Sequence, residues 1–287
     1  MAKEKPRAFD TSLFLGLPGI ALILLFFVLP YLNMLYLSVM KQVKGAPYLK
    51  EFTLGNYAQI LSDPYYFGVI LLTLRLAFIA VVITLILAYP LAYHLSSIPG
   101  RRKGLLLTLI LSPLLVGEVV RSYGWLVLLA DEGLVNQGLR ALGWGTKHLI
   151  FNQTGVVIGL VHIYLPFMVL ALLGSLESIN PDLALASRSL GASKWSTFWR
   201  ITFPLSLPGI VSGTVLVFVL SASAYVVPSL LGKYNVLTAP MLAVQMVTDL
   251  FNWPLGSAFT VVFFVTVVAL LGVYLLVTNR LLRRVMG

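Results

Sequence analysis

Two charged residues stand inside an otherwise apolar run, Glu118 and Arg121, with Trp125 one turn further on. On a helix the i, i+3 spacing places the pair on one face, and two readings follow. Either the two charges neutralise each other, or Glu118 meets a cationic solute while Arg121 holds it and Trp125 offers a ring for cation–π contact. A charge at mid-membrane costs about 2.5 to 3.5 kcal/mol on insertion scales, so such residues are functional candidates by default. Asp131, Glu132 and Asp249 either admit cations at an outer mouth or serve as ordinary loop charges.

Other reactive constellations are missing. Without cysteine there is no disulfide, thiolate metal site or thiol nucleophile, and His94, His148 and His162 are too scattered to form a zinc site. Gly232-Lys233 is followed by Tyr234, so the phosphate-binding Gly-x-x-x-x-Gly-Lys-Ser/Thr loop is absent. No Gly-x-Ser-x-Gly, no His-Glu-x-x-His and no paired carboxylates on one face point to an enzyme. His162 and Tyr164, just before Pro166, are expected to hydrogen-bond beside a kink rather than relay protons.

The elements that must position these residues are membrane spans. Charged residues make up only 10% of the 287 and hydrophobic ones 59%, with a mean hydropathy of +0.94. That balance belongs to a membrane protein. The net charge of +10 is spread between apolar runs rather than gathered on one basic face, so nucleic acid is not expected as a partner. About 20 residues cross a hydrocarbon core of about 30 Å. Long apolar runs predict six spans at about 13–38, 68–96, 104–130, 154–176, 205–230 and 257–280, in a single transmembrane domain over 1–287. The first run is too long for a secretory h-region and reads as a retained anchor.

Twelve lysines and arginines fall on the tails and even-numbered loops against six on the opposite side, which predicts both termini in the cytoplasm. Gly155-x-x-x-Gly159 and Gly209-x-x-x-Gly213 allow close helix contacts, expected inside the chain. Pro18, Pro30, Pro90, Pro113, Pro166 and Pro208 interrupt spans or their edges, which suits a protein opening alternately to two sides and is equally common in static bundles.

The second cytoplasmic loop, 177–204, is long and too polar for lipid. Pro181-Asp182 starts a short helix, Gly191 ends it, and Ser193 caps a second run ending before Pro204. From composition alone this is an amphipathic surface helix-turn-helix or a partner docking element. Arg188, Lys194 and Arg200 would be rim charges, with Leu190, Trp195 and Phe198 as apolar contacts, some of these residues packing instead on the chain's own cytoplasmic ends.

The run Ala186-Ser-Arg-Ser-Leu-Gly191, nine residues, then Ile201-Thr-Phe-Pro204 resembles the EAA loop of binding-protein-dependent ABC importer permeases. The motif positions fall on Leu185, Ala186, Ser187, Gly191, Ile201, Phe203 and Pro204. Leu185 stands where the family has Glu, Ser187 where it has Ala, and Phe203 where it has Leu. Leu190-Gly191-Ala192-Ser193 completes the run. Phe52-Thr-Leu-Gly-Asn-Tyr57, Val120-Arg-Ser-Tyr-Gly-Trp-Leu126 and Asn252-Trp-Pro-Leu-Gly-Ser-Ala258 extend the likeness, which is to the spermidine/putrescine-type subfamily.

The resemblance implies an all-α, six-span type I permease fold with a cytoplasmic coupling helix, in the bacterial inner membrane. It implies two ATP-binding cassette ATPases, a second permease similar but not identical to this chain, and a periplasmic solute-binding protein. The cargo would be a polyamine or a related small organic cation, with an opine, thiamine, iron or an anion as alternatives. ATP and Mg would be bound by the partner ATPase, with no cofactor in this chain. A secondary transporter is the rival reading; it would have no use for the long loop.

Overall fold

The computed structural model describes residues 18–43 and 46–286, excluding the side chains of residue 46 and of 281–286. Lys3, Lys5, Arg7 and Lys44, and the side chains of Arg283 and Arg284, which enter the charge count, lie outside the described residues. The chain forms two compact units, one of residues up to Asp63 with Ala243–Val262 and one of Pro64–Leu242 with the segment from Phe263.

The smaller unit opens with α1 (Pro18–Ser38), an apolar helix whose side chains are almost all exposed, as suits lipid. Pro30 has no N–H to donate, and α1 adjusts by a π-turn over Leu24–Val28, with Leu29 N–H donating to Leu24 O. Next comes an antiparallel hairpin, β1 (Met40–Val43) and β2 (Ala46–Phe52), paired Met40 with Phe52 and Val43 with Ala46. This hairpin departs from the all-α expectation; it lets a short non-helical segment satisfy its backbone groups by pairing. Asn56, in α2 (Gly55–Ser62), donates from Nδ2 to Ser38 O and Met40 O, both at 2.9 Å, and fastens the hairpin's base.

The larger unit is built on α3 (Pro64–Ser97), followed by α4 (Gly100–Leu111), α5 (Glu118–Leu129), α6 (Leu134–Ala141) and α7 (Gln153–Glu177). Beyond them lie α8 (Pro181–Ser189) and α9 (Lys194–Ala222), while α10 (Ala239–Thr248) and α11 (Trp253–Met286) are each divided between the two units, at Ala243 and after Val262. Its core joins α3, α7 and α9. Ala77, Ala80, Ala88 and Ala92 on α3 are fully buried, so the helices approach closely, and Leu160, Met168 and Leu172 of α7 and Val217 of α9 fill the centre.

Both Gly-x-x-x-Gly pairs face the interior of the chain. A Cβ on Gly213 would meet Met168 Sδ at 2.6 Å, and one on Gly159 would meet Leu231 Cδ1 at 2.6 Å and Val227 Cγ1 at 2.7 Å. Pro90, Pro166 and Pro208 all lie inside their helices.

Among the described residues five helices are long and apolar enough to cross a membrane: α1, α3, α7, α9 and α11. The segment read as one straight span over 104–130 is instead a bent pair. α4 runs into a 3-10 turn at Ser112–Leu115, the chain extends at Val116 and Gly117, and α5 restarts at Glu118, with a bend of 97°. Pro113 disrupts the local helical bonding and Gly117 adds backbone freedom, so the sequence places its own break there. Counted as one, the pair makes a sixth span.

Candidate functional site: a helical hairpin and an intramembrane polar face

The loop over 177–204 folds as a capped hairpin. Asn180 Oδ1 accepts from Asp182 N–H at 2.9 Å, and Pro181 occupies the first turn of α8, where its missing N–H costs nothing. At the far end Gly191 takes a left-handed φ of +86°. Its N–H donates to Arg188 O at 3.0 Å, and Ala192 N–H donates to Ser187 O at 3.2 Å, a Schellman closure. Ser193 Oγ accepts from Ser196 N–H at 3.2 Å to start α9. Ser187 Oγ and Thr197 Oγ1, 3.1 Å apart, tie the two arms.

The second arm differs from the expectation that it ends before Pro204. Helix α9 runs on through Pro204 to Ala222 as one span. The bond that Pro204 cannot donate is absorbed by a π-turn over Phe198–Thr202, with Phe203 N–H donating to Phe198 O.

The hairpin presents its apolar side chains unevenly. Leu185 (59% exposed), Leu190 (89%) and Trp195 (71%) face outward, as do Ala186, Arg188, Gly191 and Ser193. Ser187, Ala192, Phe198, Ile201 and Pro204 are half-buried. Phe198, expected among the outward contacts, packs on α3 instead, with ring centroids 5.8 Å from Tyr89 and 5.5 Å from Tyr93. Tyr89 OH and Ser206 Oγ share a 2.9 Å hydrogen bond beneath it. Lys103 and Glu177, a pair the sequence did not single out, form an ion pair at the α7 end of the hairpin.

The second candidate face lies on α5. Glu118, Arg121 and Trp125 are all half-buried, with Ser122 and Leu129 buried beside them, so the α5 face they share turns inward. Glu118 opens α5, where the positive end of the helix favours a carboxylate. No ion pair within 4 Å joins Glu118 to Arg121 among the described residues. Arg121 Nε and Nη1 are instead buried without a hydrogen-bond partner. Arg121 lies within electrostatic reach of His162, and both charges within reach of Tyr164. Trp125 and His162 meet edge to face at 5.2 Å and line a cleft of about 330 Å³ with Ile83, Leu87, Val161 and Leu165.

The carboxylates considered for an outer mouth are engaged locally. Asp131 lies 3.1 Å from His148 Nδ1, Glu132 pairs with Arg140 at 2.8 Å, and Asp249 accepts from Thr248 Oγ1 at 2.8 Å. Buried Asn136, which sequence reading passed over, donates to Ala130 O and Lys147 O and accepts from Lys147 N–H, closing the segment between α5 and α7. Lys233 lies 4.8 Å over the Phe151 ring, and both have positive φ, +50° and +57°.

The described chain thus has a core of three packed spans and a capped hairpin between the fourth and fifth. The chain belongs to the family of binding-protein-dependent transport system inner membrane components, whose model matches residues 87–286. It is a multi-pass permease of the ABC importer type, working with an ATPase and a periplasmic binding protein. The spermidine/putrescine transport system permease protein PotB of Salmonella typhimurium (strain SL1344) is 37% identical over 268 residues, covering 91% of each chain. PotB of Escherichia coli (strain K12) is 36% identical over 268 residues, covering 91% of this chain and 95% of that one. A crystal structure of a bacterial ABC transporter that imports the acidic polysaccharide alginate has the same fold, with a TM-score of 0.78, 18% identity and 97% of both chains covered.

Proposed function

We propose that this chain is one of two permease subunits in an inner-membrane importer of polyamines such as putrescine and spermidine, or of a related small organic cation. The observation that carries the substrate class is the 37% identity with a spermidine/putrescine permease along 91% of both chains. Glu118 adds chemical support, as a carboxylate without an ion-pair partner among the described residues, on the same α5 face as the Trp125 ring. The second permease is a similar, non-identical chain, and two ATPase subunits hold ATP and Mg. Both termini face the cytoplasm, consistent with the excess of lysine and arginine on that side.

In this reading α8 and the Gly191 turn seat in the ATPase and pass its closure to α7 and α9 as rigid-body movement. Leu185 and Leu190 supply the apolar contact and Arg188 a rim charge. Leu185 in place of the family's Glu makes that contact apolar rather than charged.

The test is ATP hydrolysis by the complex in liposomes with its binding protein, scanning polyamines against amino acids and metal ions. Polyamines are expected to stimulate hydrolysis, and Gly191→Pro to abolish the stimulation. Stimulation by another solute class alone overturns the substrate; uptake that follows an ion gradient without ATP overturns the coupling.

A further inference from the structure

Between the end of α3 and the start of α9 lies a cup of about 380 Å³ lined by Tyr89, Pro90, Tyr93, Lys194, Trp195 and Phe198. Its walls are aromatic. Trp195 and Phe198 stack at 6.2 Å with an interplanar angle of 24°, and Tyr93 meets Phe198 edge to face at 5.5 Å. Lys194 is the one charged group in the lining, and it forms no ion pair or hydrogen bond among the described residues.

The cup's level in the membrane follows from helix geometry. The continuous helix α9, 29 residues from Lys194 to Ala222, is about 43 Å long, the thickness of a bilayer with its head groups, so Lys194 in its first turn stands at the head-group layer. Trp199, 46% exposed, packs against Trp195 at 5.6 Å and Phe198 at 5.2 Å, and with Tyr93, 41% exposed, it makes an aromatic cluster of the kind enriched at a membrane–water interface. An ATPase docked on α8 and Leu190 would contact the hairpin's tip, whereas the cup opens at its root, against the spans.

We infer that this cup is a binding site for the head group of an anionic phospholipid of the cytoplasmic leaflet, with Lys194 meeting the phosphate and Tyr93, Trp195 and Phe198 holding the glycerol and upper acyl carbons. Charge complementarity selects the lipid: basic pockets between spans on the cytoplasmic side recognise anionic head groups, and each lysine near the surface contributes measurably to that attraction. The inference rests on the orientation proposed for the importer and is independent of its solute.

The test is native mass spectrometry of the intact, delipidated importer titrated with phosphatidylglycerol, with phosphatidylcholine of the same chains, and with soluble glycerol 1-phosphate. Tight retention of phosphatidylglycerol over phosphatidylcholine is expected, weakened about fivefold in Lys194→Gln and unaffected in Lys50→Gln, which removes an equal charge from the other unit. Trp195→Ala is expected to weaken both lipids by removing a wall. Equal retention of the two lipids, or no effect of Lys194→Gln, overturns the inference. Competition by glycerol 1-phosphate as strong as by the lipid overturns the lipid source and leaves an anion site. Because the readout needs no solute, a failure of polyamine stimulation leaves it standing, and its own failure leaves the transport reading intact.

Discussion

The hairpin of α8 and the start of α9 and the inward face of α5 are opposites in what they leave unsatisfied. In the hairpin the backbone ends are well capped, by Asn180, Ser193 and the closure at Gly191, while Leu185 and Leu190 are left uncovered. On α5 the aromatic ring is packed against His162, while Arg121 Nε and Nη1 are buried without an acceptor. A finished backbone carrying exposed apolar side chains is a rigid shape made to be covered by another protein. Guanidinium nitrogens buried without an acceptor among the described residues call for a reason to be kept, and a role in transport would supply one. The first region costs the isolated chain little, and the second costs it stability.

The contrast is broken most severely at Gly191. Proline there locks φ near −65° where the chain holds +86° and removes the N–H donated to Arg188 O. Solute-stimulated ATP hydrolysis is expected to fall by on the order of a hundredfold, with the complex still inserted. Gly191→Ala, which keeps the N–H but strains the same φ, is expected to lose roughly tenfold. Equal activity of both variants with the native chain would remove the hairpin from coupling.

Next in size is Arg121→Met. If the guanidinium is retained for transport at the expense of stability, the variant gains roughly 1–3 kcal/mol in thermal unfolding while its uptake falls. Destabilisation together with unchanged uptake would make Arg121 a structural residue. Glu118→Gln sharpens the same side of the comparison. Uptake affinity for a cationic solute is expected to drop about fivefold to tenfold, the loss of one charge-assisted contact worth about 1–1.4 kcal/mol; unchanged affinity and rate would take Glu118 out of the path.

The smallest effect belongs to Ser187→Ala. It removes the hydroxyl bridge to Thr197 and is expected to cost about 0.5–1.5 kcal/mol of stability, with coupled ATP hydrolysis changed by less than about twofold. A large loss of coupling from this half-buried position would mean that the hairpin's two arms move against each other rather than as one body.

Reading along the chain recovered the hairpin well and the α5 face poorly. Pro181, Gly191 and Ser193 act within four residues of themselves, so their spacing foretold the start, turn and restart that the structure contains. The end foreseen before Pro204 was missed because a π-turn lets a helix absorb a proline, and that widening has no simple spacing signature. Glu118 and Arg121 were found by their rarity in an apolar run. The break at Pro113 to Gly117, which makes Glu118 the first residue of a new helix instead of a mid-span charge, was not read from the apolar run.

Apolar run lengths, caps and the left-handed glycine were thus legible without coordinates, because each depends on hydrogen bonds closed within a turn or two of the chain. Where Phe198 points, what Arg121 lacks, and the cup around Lys194 were set only by the packing of α3, α7 and α9. Those contacts join residues up to about a hundred positions apart, as Tyr89 and Phe198 are, and burial there decides which polar groups keep a partner.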